Sequence, residues 1–260
     1  MQNFTIATLL LSNRPIMRIP HIYQPSALSL HSQISLDDNA AGHIARVLRM
    51  QVGDKVSLFN GQGGEYLCEL TDVSKKKVIV QPVEFVDNDC ESPLKIHLGQ
   101  GISRGDKMDF TIQKSVELGI SEITPLFTTR CGVKLSGERL AKKHAQWQKI
   151  AIAAAEQSGR NTITVIHPPV DITAWLTQPS DELKLTLHPR AEHSIKTLPT
   201  PSKGVRFIVG PEGGFTDEEI QATSEQGFID VRLGPRVLRT ETAALTVLSA
   251  LQLQFGDLAL

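Results

Sequence analysis

Phe207-Ile208-Val209-Gly210-Pro211-Glu212-Gly213-Gly214-Phe215-Thr216 is an apolar run that breaks into a glycine-rich turn. Val205 to Val209, bounded by Gly204 and Gly210, has the make-up of a parallel strand covered on both faces. Gly210, Gly213 and Gly214 carry no Cβ, so the backbone there can take positive φ and come close to a flat ligand. Pro211 stiffens the turn. Thr216-Asp217-Glu218-Glu219 then fits a capping box that opens a helix, and Gly227 is placed to end it. No Gly-Lys-Ser/Thr follows, so a P-loop phosphate cradle is not expected, and the spacing does not match the G-x-G-x-x-G of a dinucleotide fold. A plain tight turn would show the same residues; so would one wall of a ligand site at the carboxyl end of a strand.

A second loop of the same kind follows in Leu233-Gly234-Pro235-Arg236-Val237-Leu238-Arg239-Thr240-Glu241-Thr242-Ala243-Ala244-Leu245. The strand Ile229 to Leu233 turns at Gly234-Pro235, and Ala243 to Phe255 reads as a long, mostly buried helix with Thr240 or Glu241 near its start. Arg239 and Glu241, wedged between a turn and a buried helix, must pair or face a cleft. A capping salt bridge and a charged pair lining a substrate pocket both satisfy that demand. Two such loops in one chain predict a pocket.

Outward from these loops the chain has two rhythms. Up to about Asp87 the strands are short and alternating: Val56 to Phe59, Glu65 to Leu70 and Lys77 to Val83, with one helix from Asp38 to Leu48. Gly61-Gln62-Gly63-Gly64 and Lys75-Lys76-Lys77 read as hairpin turns. The polar stretch Asp87 to Pro93 marks a boundary. Beyond it strands (Ile96 to Gln100, Ile123 to Phe127, Thr164 to His167, Leu183 to Leu187) alternate with helices (Asp106 to Leu118, Ser136 to Gln157), which calls for an α/β fold with a parallel sheet covered on both faces.

Composition narrows the function classes. The 260 residues allow one large or two modest cores. A net charge of −1 makes no global case for nucleic acid, so any RNA contact rests on local patches: Arg18, Arg46 and Arg49, or Arg139, Lys142, Lys143 and Lys149 on a helix. Cys68, Cys90 and Cys131 lie far apart without a C-x-x-C pair, which argues against a disulfide framework or structural zinc and for a reducing cytosol. The histidines are scattered; His188 and His193 are the nearest pair and lack a Cys or H-E-x-x-H partner, so no metal is expected. No apolar run spans a bilayer, and no membrane association is expected. Ile6 to Leu11 is apolar but lacks the basic flank and cleavage site of a secretory signal, so residues 1–16 read as a dispensable extension or a misassigned start.

Gly210-Pro211-Glu212-Gly213-Gly214-Phe215 followed by Leu233-Gly234 and Leu238-Arg239 with Glu241-Thr242-Ala243 resembles the C-terminal signature of the SPOUT methyltransferases, specifically the ribosomal RNA small subunit methyltransferase E family. Met17 to Tyr23, His43 to Met50, Gly53-Asp54 and Phe59-Asn60-Gly61 are similar to the start of that family. Lys107-Met108-Asp109, Gln113-Lys114, Glu117-Leu118-Gly119, Pro125-Leu126 and Glu156-Gln157-Ser158-Gly159-Arg160 are similar to its middle. The likeness runs from about Met17 to the C-terminus.

The resemblance implies a PUA-like β-barrel RNA-binding domain over residues 17–88 and a trefoil-knotted, Rossmann-like SPOUT domain over residues 89–260. It implies a cytoplasmic homodimer with the pocket near the subunit interface, S-adenosyl-L-methionine as cofactor, and N3 of a uridine in small-subunit rRNA as acceptor, within the assembled small subunit. Carried over by position, the cofactor walls are Leu187 and His188; Gly210, Glu212, Gly213 and Gly214; and Leu233, Gly234, Leu238, Arg239 and Thr240. Pro235-Arg236 departs from the small or polar residues of relatives. Arg239 would stabilise charge on the uracil or orient the cofactor; Glu241 would orient Arg239 or take the N3 proton. Arg18, Arg46 and Arg49 would grip RNA. Two alternatives stay open: a relative acting on transfer RNA or on a ribose hydroxyl, and a non-catalytic ribosome assembly factor.

Overall fold

The computed structural model describes residues 19–74, 77–88, 90–188, 191 and 193–259. The expectations for residues 1–16, for Arg18 and for the Lys75-Lys76 turn tip lie outside the described residues.

The first module is a five-stranded sheet in the order β1-β3-β4-β5-β2, built from β1 (His21–Tyr23), β2 (Ile34–Ser35), β3 (Lys55–Phe59), β4 (Glu65–Val73) and β5 (Val78–Val86). All its pairings are antiparallel except β1 with β3. Strand alternation sends Val56, Cys68, Leu70, Val78 and Val80 inward to pack with Ile22 and Ile44. Two register shifts between β4 and β5 supply the local twist that lets so small a sheet curl around its core.

The helix expected from Asp38 to Leu48 is two pieces. Helix α1 (Asp38–Gly42) starts where the Asp37 carboxylate accepts the amides of Asn39 and Ala40, at 2.8 and 2.9 Å. From His43 to Leu48 the spiral widens, and the Arg49 amide donates to the Ile44 carbonyl five residues back. Arg49 closes it with φ +54°, a left-handed conformation in which glycine is usual. The widened turn leaves Arg46, Val47, Leu48 and Arg49 exposed.

The second module is a parallel sheet in the order β12-β10-β11-β6-β7-β8, with β9 also beside β7. Its elements are β6 (Ile96–Gly101), α2 (Asp106–Glu117), β7 (Glu122–Phe127), α3 (Gly137–Ser158), β8 (Val165–Ile166), β9 (Val170–Asp171), α4 (Ile172–Leu176), β10 (Leu183–Leu187), β11 (Val205–Val209), α5 (Asp217–Glu225), β12 (Ile229–Val231) and α6 (Thr240–Phe255). The apolar character of β11, broken only by the buried Arg206, has its cause here. Val205, Phe207 and Val209 enter the core under α2, α3 and α6, while Ile208 enters a second core with Trp175 and Phe228 of the opposite layer. Helix α4 was not expected; its core residues are Ile172, Trp175 and Leu176, too short a run for helical periodicity to show.

Order along the sheet is non-sequential. The connection from β10 to β11 is pinned to β12, where the Arg232 amide donates to the His193 carbonyl at 2.9 Å and the His188 amide to the Val231 carbonyl at 3.1 Å. Beyond β12, α6 returns to pack on α2 and on the central strands β6 and β11. The last strand thus lies outside β10, and the helix that follows it returns to the middle of the sheet.

The modules meet along α3. Phe59, fully buried at the end of β3, joins the core of the second module. The Tyr23 amide donates to Glu156 Oε1 at 2.9 Å. Arg160 is buried, pairs with Glu91 of the connector, and donates from Nη1 to the carbonyls of Val116 and Ile120 at 3.0 and 2.9 Å. The Glu156-to-Arg160 stretch is therefore structural: Glu156 and the Arg160 carbonyl meet the first module at Tyr23 and His21, while the Arg160 guanidinium braces the connector against the second.

Candidate active site

A pocket of about 520 Å³ opens where β10, β11 and β12 end. Its walls include Leu187 and His188 at the end of β10; Val209, Gly210, Pro211, Glu212 and Gly214 at the end of β11 and in its loop; and Leu233, Gly234, Leu238, Arg239 and Thr240 from the β12–α6 loop to the first residue of α6. Carboxyl ends of parallel strands are where such folds bind ligands. Gly214 and Gly234 sit at φ +67° and +78°, so those turns favour glycine on backbone grounds.

The β11 loop is held by three separate pieces of chain. The buried Gln100 donates to Thr240 Oγ1 at 2.9 Å, and Thr240 donates to the Gly210 carbonyl at 2.6 Å, tying β6, α6 and the loop together. Arg130 Nη1 donates to the carbonyls of Gly213 and Phe215 at 3.2 and 3.0 Å. At the end of the loop the expected capping box is present: Thr216 Oγ1 accepts from the Glu219 amide at 3.2 Å and Glu219 Oε2 from the Thr216 amide at 2.8 Å. The other Glu219 oxygen accepts the Thr129 amide at 2.7 Å, so one carboxylate caps α5 and anchors a neighbouring loop.

Charge is concentrated at the mouth. Glu212 Oε1 accepts the Arg104 amide at 3.0 Å and lies 3.3 Å from Lys107 Nζ. Burial alone would raise the Glu212 carboxyl, yet its own amide, that of Arg104 and the Lys107 ammonium together hold it below the usual carboxylate range. Arg232, Arg236 and Arg239 line the same pocket.

Of the residues expected to face a ligand, two stand elsewhere. Gly213 is off the pocket wall; a Cβ on it would come within 2.9 Å of Arg130 Cβ, so its smallness serves the close approach of Arg130. Glu241 is also off the wall, with Oε2 buried and without a hydrogen-bond partner among the described residues, and no ion pair joins it to Arg239 there. As the second residue of α6 it points along a different face from Arg239, which precedes the helix. Arg46 and Arg49 lie on the first module, on its exposed widened turn.

Residues 90–252 match the family model of the RNA methyltransferase domain, and residues 36–83 that of the RNA methyltransferase PUA domain. Ribosomal RNA small subunit methyltransferase E of Buchnera aphidicola subsp. Acyrthosiphon pisum is 39% identical over 241 residues, covering 92% of this chain and 95% of its own. The chain belongs to the ribosomal RNA small subunit methyltransferase E family. The family enzyme of Bacillus subtilis is 36% identical over 85% of this chain and 90% of its own. A structure of the Neisseria gonorrhoeae enzyme bound to S-adenosyl methionine is similar with a TM-score of 0.87 and 41% identity, covering 92% of this chain and 99% of that one. A Legionella pneumophila methyltransferase in complex with the bound cofactor SAM has a TM-score of 0.90 and 46% identity, covering 93% of this chain and 100% of that one.

Lys107 also lines the pocket, although the methyltransferase E motifs give it no role. It comes from the start of α2, and only its place just after the carboxyl end of central strand β6 could have flagged it. At the amino-terminal ends of β6 and β7, among the described residues, His97 and Glu122 bring their ligand-type atoms within 4.8 Å of each other and of His167. Arg206 Nη2 stands 3.5 Å from His97 Nδ1, its Nε is 3.4 Å from Glu182, and its guanidinium lies 4.5 Å from the Trp175 ring centre. Burial first, with Arg206 adding to it, pushes His97 down to about 4, so the imidazole is neutral at physiological pH and faces the guanidinium. No helix among the described residues is long and apolar enough to cross a membrane.

Proposed function

We propose that this chain transfers the methyl group of S-adenosyl-L-methionine to N3 of a uridine in small-subunit rRNA, working in the cytoplasm as a homodimer on the assembled subunit. The observation that carries the reading is the glycine-turned, largely apolar pocket at the ends of β10, β11 and β12, in a chain of this family whose relatives have been crystallised with the donor.

The donor's sulfonium is already activated, so no protein nucleophile is required; the site must align donor and acceptor. Backbone groups of the three loops hold the adenosine, and the apolar walls take its flat faces. N3 carries a proton and is hidden by base pairing, so the uridine has to be unpaired or extruded. Arg239 stabilises charge moving onto the uracil carbonyls. The exposed face Arg46, Val47, Leu48 and Arg49 suits a nucleic-acid backbone with adjoining bases, its arginines gripping phosphate. Val237 supports the dimer: it lines the pocket yet is 87% exposed, as expected of a wall that a second subunit covers.

Nucleoside mass spectrometry of rRNA from a deletion strain tests the reading. N3-methyluridine should vanish from the small subunit and return with the wild-type gene but not with Arg239→Ala. Loss of a ribose methyl or of a transfer RNA modification instead would replace the proposal, and undetectable donor binding by calorimetry would favour an assembly factor.

A further inference from the structure

Lys107 Nζ and Glu212 form an ion pair in the pocket mouth, with side chains 36% and 30% exposed. So exposed a pair adds little to stability, which leaves its position to be explained by what it faces. Both ends are set from one piece of chain. Lys107 is the second residue of α2, reached from β6 through Gly105 at φ +59°, and the Arg104 amide in the same connection fixes the Glu212 carboxylate at 3.0 Å. A sulfonium donor gains nothing from a neighbouring ammonium. The acceptor does: once the uracil loses its N3 proton, the negative charge is shared by the two carbonyl oxygens that flank N3. Two donors from different elements match two such oxygens, and the pocket offers Arg239 from the β12–α6 loop and Lys107 from the first turn of α2.

We propose that Lys107 is a further catalytic residue, donating a hydrogen bond to one uracil carbonyl beside N3 while Arg239 serves the other, with Glu212 keeping the ammonium from opposing the sulfonium. This rests on the reading of the pocket as a uridine N3 methyltransferase site. In the step the N3 proton leaves to solvent, the N3 lone pair forms the bond to the methyl carbon, and the S–CH3 electron pair returns to sulfur. The products are N3-methyluridine, S-adenosylhomocysteine and a proton.

Single-turnover methylation of small subunits purified from a deletion strain, measured across pH, tests it with Lys107→Met and Lys107→Arg, alongside calorimetric binding of S-adenosyl-L-methionine. Losing one positioned donor should slow Lys107→Met by about a hundredfold while donor affinity stays within about threefold. The rise of rate with pH should move to higher pH in Lys107→Met, because the uracil anion has lost a stabilising donor, and Lys107→Arg should restore at least about tenfold. Lys107→Met also takes away the ammonium beside Glu212, which Lys107→Arg replaces with a guanidinium; the other titratable and charged groups of the pocket, His188, Asp217, Arg232, Arg236 and Arg239, keep their identity in both variants. An unchanged rate, or a rate loss matched by an equal loss of donor affinity, overturns the role of Lys107 while the wild-type enzyme still makes N3-methyluridine. A wild-type enzyme that makes none removes the functional reading and this inference together.

Discussion

Gly101, the last residue of β6, lies directly beneath the cofactor loop. A Cβ built there would stand 2.5 Å from Pro211 N, 2.6 Å from Pro211 Cδ and 2.9 Å from the Gly210 carbonyl carbon. All three atoms belong to backbone or to a proline ring, so no flexible side chain can swing aside. Ordinary carbon contacts need roughly 3.5 Å or more, so Gly101→Ala must push the loop outward by close to 1 Å. Overpacking of this kind costs about 1–3 kcal/mol. If the loop yields, the free protein relaxes and the cost returns when donor binding restores the wall, weakening affinity about 5- to 150-fold. If the Thr240 and Arg130 hydrogen bonds hold the loop in place, the same cost appears as a lower melting temperature instead. Calorimetric titration with S-adenosyl-L-methionine and thermal melting of the same variant read both channels. A variant with affinity and melting point both equal to wild type would refute the wedge and the idea that this strand end supports the pocket.

Two further predictions concern pH and thiol chemistry. Burial pushes the Glu156 carboxyl above its ordinary value of 4.5, so between that pH and its folded value the native state holds a proton that the unfolded chain has lost. Stability from this source is complete below about pH 4.5 and drains as pH rises through the folded value; Glu156→Gln, which keeps an oxygen for the Tyr23 amide, should gain melting temperature over wild type as pH climbs to about 7, and a pH-independent gap would disprove it. Burial also pushes the Cys68 thiol up to about 12, whereas Cys90 is exposed, so a thiol reagent at neutral pH should modify Cys90 in the native protein and reach Cys68 only after denaturation; peptide mapping that finds native Cys68 labelled would contradict the packing.

What could be read ahead of the structure was local. The strand, turn and capping box are encoded in the single stretch Val205 to Glu219, and the structure reproduces the cap atom for atom. The burial of β11 on both faces was legible for the same reason. Features created by distant pieces of chain were not. Gly213 looks like a ligand-facing glycine until Arg130, far away in sequence, is found against it. Glu241 sits beside Arg239 in the chain, yet a helix start sends neighbours in different directions. Lys107 belongs to a stretch that resembles the family, but nothing local gives it a role; that comes from β6 being central in the sheet and ending at the pocket. The three-residue β1 and two-residue β2 are too brief for alternation to register, and so is the one-residue difference in hydrogen bonding that splits the Asp38-to-Leu48 helix at His43.

The triangle of Gln100, Thr240 and Gly210 also sets when this protein can start to work. Its corners come from the middle, the last quarter and the final helix of the chain. During synthesis the strand ends can line up early, but the third wall is missing until α6 has left the ribosome and packed back on β6. A polypeptide cut short before Thr240 would thus carry every glycine of the first motif and still have no closed compartment in which to retain a methyl donor.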